Sequence, residues 1–525
     1  MKNFKDFTCE HRINWIYIII FCILFSLRVC AINNKTTFFF DDPASLNVST
    51  PNNLYANKIK VKYGWADLRF DYQKNYDVLS IKKTLFESKS DLKSIISDLA
   101  YLHNNTLDRQ HPNLYYSILR IWTAGMDYSD NNAIKWRCCS INLIFFILAF
   151  FFMFKLLNEI KPDKNFIAAG LFFAFITTGT ISNTLLIRAY PMMEAFFIFV
   201  LYMFVVLYKS IGTDIKFSRK QLLLYSLGLS IFLLSEYYSL IVCAGILLVF
   251  TYKCVKKRDL NSLKRLILIY AFAFLVVLLF CPIYFENFKA IEHMDETQSG
   301  ASIWNLFDFH WYGLYMIEIL DKYVYYNMFF YMIFLFLLAI GVPILGKDRF
   351  NTNETKIFIM IFAMVTLYAY LICAISPFHD YLALRYIIIT FPIFGLLIAF
   401  FVYQLKRPFI VVMAIIAFLS SALPIFGIDM YNSKYKCLGM MTYFRNLSHL
   451  DLSKYEYDKQ TNRLRPVVIA NKNWIWPNYL MYLDNNNIIR FEMYNIPPNK
   501  KYIFDDYILI NTEIVNVILN SRKKQ

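Results

Sequence analysis

Two adjacent carboxylates, Asp41 and Asp42, stand in FFFDDPASL, where an apolar stretch gives way to a polar one. A carboxylate at a membrane surface is partly desolvated, which raises its proton affinity and suits it to deprotonate a hydroxyl beside a lipid-borne partner. Acidic residues also end membrane spans with no further role, and position alone weighs the two readings evenly. Farther on, DRQHPNLYYSILRIWTAG sets His111 before Pro112, which can open a helix, and Leu114, Tyr115, Ile118, Leu119 and Trp122 mark an amphipathic face. LLIRAYPMMEAFF puts Arg188 and Tyr190 at the mouth of an apolar run and Glu194 inside it, and an ionisable group within a membrane marks function by default. Glu236 in LLSEYYSLI, and His379, Asp380, Arg385 and Tyr386 in SPFHDYLALRYIIITFP, sit at the ends of later runs. Arg188 and Arg385 have the chemistry for phosphate, a permanent charge on a planar donor fork, although each could equally be an interfacial anchor. The stretch EHMDE (Glu292, His293, Asp295, Glu296) lacks a recognisable ligand spacing and reads as a solvated loop, so no metal site is expected.

The elements that must position these residues are apolar runs. The first, Asn14 to Ala31, follows Lys2, Lys5 and Arg12 and reads as an uncleaved signal anchor that keeps the N-terminus inside. Further spans are expected over Ala133 to Leu157, Phe166 to Ile187, Met192 to Tyr208, Gln221 to Ser235, Tyr237 to Tyr252, Leu266 to Tyr284, Val324 to Leu345, Ile357 to Ile375, Leu384 to Gln404 and Pro408 to Ile428, about eleven in all. Basic residues gather in alternate connections: Lys155, Lys161 and Lys164; Lys209, Lys216, Arg219 and Lys220; Lys253 to Arg265; Lys347, Arg349 and Lys356; Lys406 and Arg407. The positive-inside rule makes that face cytoplasmic and puts outside the first loop (about 32–132), the loop from Phe285 to Lys322 and the tail. The segment at His111 to Trp122 is expected as a juxtamembrane helix, because a crossing there would invert the charge of every later loop. Two units follow: a transmembrane domain over 1–428, and an extracytoplasmic domain over 429–525 in which RPVVIA and YILIN read as strands and NWIWPNYLMYL as a helix, a small α/β unit.

Composition agrees with this architecture. The chain is 58% hydrophobic with a mean hydropathy of +0.40, more than a water-soluble core of 525 residues requires. Its net charge of +16 lies largely in short connections between apolar runs, which favours membrane orientation over nucleic-acid binding. Ten cysteines are scattered, most within apolar runs, without the spacing of a zinc site or a disulfide framework. All the tryptophans except Trp15 fall on or beside outer segments, as sugar-stacking rings or an interfacial belt would.

In this order, the acidic pair after the first span, HPNLYY closing the first outer loop, Arg188-Ala-Tyr190, Glu236 before Tyr237 and Tyr238, and the late Arg385-Tyr386 resemble one family over roughly Phe38 to Pro392. It is the GT-C membrane glycosyltransferases, in particular the family 39-like group of protein O-mannosyltransferases and bacterial aminoarabinose transferases. The resemblance implies a polytopic α-helical GT-C fold and an inverting displacement at a polyprenyl-phosphate-sugar donor. The catalytic acidic pair would be Asp41 and Asp42, and His111, Tyr115, Arg188, Tyr190, Glu236, Arg385 and Tyr386 would bind donor phosphate or substrate. Asp42 stands where the family carries Glu, Asn113 replaces a proline of its HPPLYY element, and Glu236 stands where related bacterial sequences often carry His. No nucleotide is required; no cofactor is fixed, and a divalent cation remains compatible. The implied partners are the lipid-linked donor, a lipid, glycan or protein acceptor and the bilayer, in a cytoplasmic (inner) membrane, with no nucleic acid. The rival expectations are a transporter or flippase of lipid-linked saccharides and a non-catalytic component of envelope-polysaccharide assembly.

Overall fold

The computed structural model describes residues 15–35, 42–52, 60–62, 65–67, 75–105, 111–213, 215, 217–286, 306–324, 353–375, 386–403 and 407–425, and the strand residues 457–458, 463–464, 467–470, 488–492, 503–504 and 507–511. Among them six helices are long and apolar enough to cross a bilayer, and the chain is a multi-pass membrane protein. These are α1 (Trp15–Asn33), α6 (Asn131–Ile160), α9 (Tyr190–Ser210), α11 (Ser239–Lys257), α12 (Leu260–Phe280) and α14 (Asn353–Ile375). Helices α7 (Lys164–Phe175), α10 (Arg219–Leu233), α15 (Phe391–Tyr403) and α16 (Arg407–Ile425) complete the bundle, and α13 (Phe309–Tyr323) packs against α14. Each expected span on described residues overlaps one of these helices, the run Phe166 to Ile187 only as far as Phe175; the one at Val324 to Leu345 lies almost wholly outside the described residues. The match follows from solvent physics: in hydrocarbon, a backbone must satisfy its own hydrogen bonds, and roughly 20 apolar residues of helix do so.

Helix α9 is the central element: most of its residues are buried, and it packs against α6 and α10. By contrast, α11 and α12 turn Leu248, Leu268, Leu275 and Leu279 outward, as lipid-facing helices do. Close packing at two places depends on glycine. A Cβ on Gly228 of α10 would stand 2.0 Å from the Phe199 ring of α9, and one on Gly395 of α15 would stand 2.3 Å from the backbone oxygen of Phe173 in α7.

One expectation is corrected. The run Phe166 to Ile187 is not a continuous span: α7 ends at Phe175, a six-residue helix α8 (Thr178–Asn183) follows, and residues 184–189 are irregular. The sequence TTGT explains the break, since the Thr177 hydroxyl caps α8 by accepting from the Thr180 amide at 3.2 Å.

The first loop is built from α2 (Asp42–Ser49), a short hairpin of β1 (Lys60–Lys62) and β2 (Trp65–Asp67), β3 (Asn75–Asp77), α3 (Val78–Phe86), α4 (Leu92–Asn104) and α5 (Leu114–Trp122). At nine residues α5 spans roughly 14 Å, too short to cross, which agrees with a juxtamembrane helix. The buried Arg120 of α5 donates to Asp98 of α4 at 2.5 Å, to the Ser88 hydroxyl at 3.1 Å and to the Lys89 carbonyl at 2.9 Å, tying the loop together.

Strands β4 (Tyr457–Asp458) and β5 (Arg463–Leu464) pair with each other. Strands β6 (Val467–Ala470), β7 (Ile488–Glu492), β8 (Ile503–Phe504) and β9 (Tyr507–Asn511) join β3 in a five-stranded sheet of order β3-β7-β6-β9-β8. Strand β6 runs parallel to β7 and β9, and β3 pairs antiparallel to β7 with Tyr76 opposite Ile489. The tail sheet thus contains a strand from the first loop.

Candidate active site

The helices break at one end of the bundle, and the breaks carry the chemistry. Asp42 begins α2, His111 sits just ahead of α5, Arg188 lies between α8 and α9, Glu236 lies between α10 and α11, and Tyr386 precedes a 3-10 turn (Ile388–Thr390) leading into α15. Pro191, at the start of α9, fixes where that helix begins, so Arg188 and Tyr190 stay at its mouth.

Asp42 is fully buried with both oxygens engaged. Its Oδ2 accepts from Lys35 Nζ at 2.7 Å, and its Oδ1 accepts from the Ile187 amide at 2.8 Å. Lys35 Nζ also donates to the Leu185 carbonyl at 2.5 Å. Burial alone would lower the Lys35 pKa, but the Asp42 charge, with smaller help from the neighbouring Cys139 and Cys138, outweighs it and raises the value. Asn142 of α6 completes the arrangement by donating through Nδ2 to the Thr184 carbonyl at 3.0 Å and the Leu186 carbonyl at 2.6 Å. Three polar side chains therefore satisfy the carbonyls of Thr184, Leu185 and Leu186 and the amide of Ile187, while the amides of Thr184, Leu185 and Leu186 donate to the carbonyls of Ile181, Ser182 and Asn183.

Arg188 follows directly. It is buried, and its Nη1 donates to the Tyr116 hydroxyl of α5 at 2.7 Å. The Tyr115 ring packs on Tyr116 with centroids 5.9 Å apart. Tyr115 feels the charges of both Asp42 and Arg188, and burial pushes its phenol well above the usual range, so it stays protonated. Its hydroxyl has no hydrogen-bond partner among the described residues.

Beside this group, His111 Nδ1 meets Glu236 Oε2 as a buried ion-pair contact without the alignment of a regular hydrogen bond. The other Glu236 oxygen accepts from the Tyr237 amide at 3.0 Å. Tyr190 approaches the imidazole edge-on at 5.9 Å and Tyr386 stacks on it at 6.5 Å, while Tyr238 closes on Tyr386 at 5.1 Å. His111 Nε2 makes no hydrogen bond among the described residues. Unused polar atoms this deep call for a ligand or an ordered water.

A second buried group lies deeper. Arg28 of α1 donates to the Leu24 carbonyl at 3.1 Å and the Phe175 carbonyl at 3.0 Å, with its guanidinium 3.8 Å from the Phe146 ring centroid. Glu194 of α9 accepts from Asn183 at 2.8 Å.

The expected site residues on described positions thus gather in one place: Asp42, His111, Tyr115, Arg188, Tyr190, Glu236 and Tyr386. Asp41, Arg385, His379, Asp380 and the EHMDE stretch lie outside the described residues. Among the described residues no cluster of three or more metal-capable side chains is present. Sequence reasoning missed Lys35, Tyr116, Asn142 and Arg28. Lys35 was visible as a lysine just past the end of the first apolar run, and Arg28 and Asn142 as polar residues inside apolar runs. Tyr116 stood within HPNLYY.

Neither a protein-family model nor a curated protein matches the chain. Among solved structures, it is similar to ArnT from Cupriavidus metallidurans bound to undecaprenyl phosphate, with 11% identity and a TM-score of 0.45 over 88% of this chain and 84% of that one. It is also similar to the Archaeoglobus fulgidus oligosaccharyltransferase AglB in complex with an inhibitory peptide and a dolichol-phosphate, with 10% identity and a TM-score of 0.40 over 92% of this chain. It spans 65% of that oligosaccharyltransferase's length.

Proposed function

We propose that this protein is an inverting glycosyltransferase of GT-C type that moves a sugar from a polyprenyl-phosphate carrier to a hydroxyl acceptor at the end of the bundle bearing the first loop. The observation that carries the reading is the convergence of a carboxylate, an arginine and a histidine–glutamate pair, from separate helix breaks, onto one buried cluster next to the juxtamembrane helix. The order of motifs along the chain supports the same reading.

The chemistry needs alignment and charge stabilisation more than exotic groups. A carboxylate of the acidic pair takes the acceptor's hydroxyl proton. The acceptor oxygen then bonds to the anomeric carbon as the bond to the donor phosphate breaks, and the electron pair leaves on the phosphate oxygen. Arg188, with Arg385 as a second candidate, stabilises that growing charge through its donor fork. Tyr190, Tyr386 and His111 supply polar and aromatic surface for the sugar. The donor sugar is a hexose or pentose and the acceptor a lipid, glycan or protein hydroxyl. The setting is the cytoplasmic membrane, with the N-terminus inside and the tail domain outside.

The test is transfer of radiolabelled sugar from membranes charged with polyprenyl-phosphate-sugars. Wild type should transfer label, and Arg188→Ala, at matched insertion, should lose most of it. A carrier of lipid-linked saccharides is the second reading, favoured by Arg28 and Glu194 buried within spans. Vesicles that move lipid-linked sugar across the bilayer without covalent product would establish that reading instead.

A further inference from the structure

Irregular backbone at membrane depth survives only where something other than lipid or a regular helix satisfies it. Between Thr184 and Ile187 that is done by side chains from distant elements: Asn142 on two carbonyls, Lys35 on a third and Asp42 on an amide. The flanks are braced as well, by Arg28 on the Phe175 carbonyl and by Asn183 on Glu194. A buried ion pair is costly, and replacing it with apolar groups is often neutral for stability, so a pair spent on a four-residue stretch argues for geometry more than for folding energy. The residue delivered by that stretch is Arg188.

We propose that Lys35, Asp42 and Asn142 are positioning residues that clamp residues 184–187 so that Arg188 meets the phosphate of the lipid carrier from a fixed backbone, and that Asp42 acts through this segment and takes no proton from the acceptor. This rests on the donor reading above. With both oxygens of Asp42 engaged, protonating it would sacrifice the ion pair that holds the segment. Misplacing a charged group by about 1 Å can cost roughly a hundredfold in rate, so a clamp of this kind has leverage on the reaction without touching substrate.

The experiment measures undecaprenyl phosphate binding to the full-length protein in nanodiscs, with amide exchange followed over 184–188. Variants are Asn142→Leu, the paired Lys35→Met/Asp42→Asn, which leaves no buried charge unpaired, the single Asp42→Asn, Gly245→Ala as control, Arg188→Ala, and Arg188→Ala added to each clamp variant. The clamp variants should weaken binding about tenfold or more and speed exchange only over the segment, while Gly245→Ala, where an added methyl meets nothing within 4 Å, binds like wild type. Adding Arg188→Ala to a clamp variant should cost far less than it does alone, because the two act through one group. Additive losses or unchanged binding would each overturn the proposal, as would a single Asp42→Asn protein that binds normally yet transfers no label in the sugar-transfer assay. If wild type binds no undecaprenyl phosphate, the donor reading has failed, and exchange over 184–188 still decides on the clamp: unchanged exchange in the variants overturns it, and local loss of protection upholds its structural half.

Discussion

Lys35 and Asp42 show how a buried charge pair acts at the scale of single residues. Removing one partner leaves the other uncompensated, so Lys35→Met alone should destabilise the protein by about 3–5 kcal/mol, while Lys35→Met/Asp42→Asn should cost clearly less. Thermal unfolding in detergent at neutral pH measures the difference. The same lysine sets an alkaline limit. Its folded pKa is raised above the ordinary value of 10.5, so its contribution is complete below that value and is lost as pH rises through the folded one. Wild type should therefore lose an increment of Tm above pH 10.5 that the Lys35→Met/Asp42→Asn protein does not lose, and parallel curves would contradict the assignment. Sequence reading could select Asp42, His111, Arg188 and Glu236 because charged or polar residues at the ends of apolar runs stand out locally. It could not pair Lys35 with Leu185, because the contact joins positions 150 residues apart and no local pattern encodes it.

At the scale of elements, helix packing depends on small residues where two backbones approach. Gly395→Ala should cost about 1–3 kcal/mol, because the added methyl meets the Phe173 carbonyl and the fixed backbone of Ala174, which cannot swing aside. Gly245→Ala is the control, since nothing lies within 4 Å of a Cβ there, and it should be neutral or slightly stabilising. Equal Tm losses for the two would mean that α7 and α15 do not pack as described. The helices themselves were legible because the bilayer imposes length and apolarity on them. The break after Phe175 was not, since Ile181, Leu185, Leu186 and Ile187 keep the run apolar while Thr177 to Thr180 quietly end the helix.

At the scale of the whole molecule, pairing of β3 with β7 places a strand of the first loop in the sheet of the tail. Tyr76 and Ile489 are direct antiparallel partners, a placement in which Cα atoms lie about 4.5–5.5 Å apart, within disulfide reach. A Tyr76→Cys/Ile489→Cys protein should form the intramolecular crosslink on mild oxidation, seen as a mobility shift that reverses with reductant. Pairing Tyr76→Cys with Leu509→Cys, on a strand three places away in the sheet, should not. Of the tail strands, β6 and β9 were readable from RPVVIA and YILIN, but the contribution of Asn75–Asp77 was not, because three polar residues within a long loop carry no strand signature of their own.

The irregular stretch before Arg188 also sets an order of events in biogenesis. Lys35 and Asp42 leave the ribosome 150 and 145 residues before the Leu185 and Ile187 backbone they will hold. At roughly 5–20 residues per second, the pair waits about 7–30 s before its partners exist. Throughout that interval it is a hydrated lysine and aspartate at the membrane surface, bonded at most to each other. Their burial therefore coincides with the arrival of the later helices, and the site closes as an assembly step between spans that have already been inserted one by one.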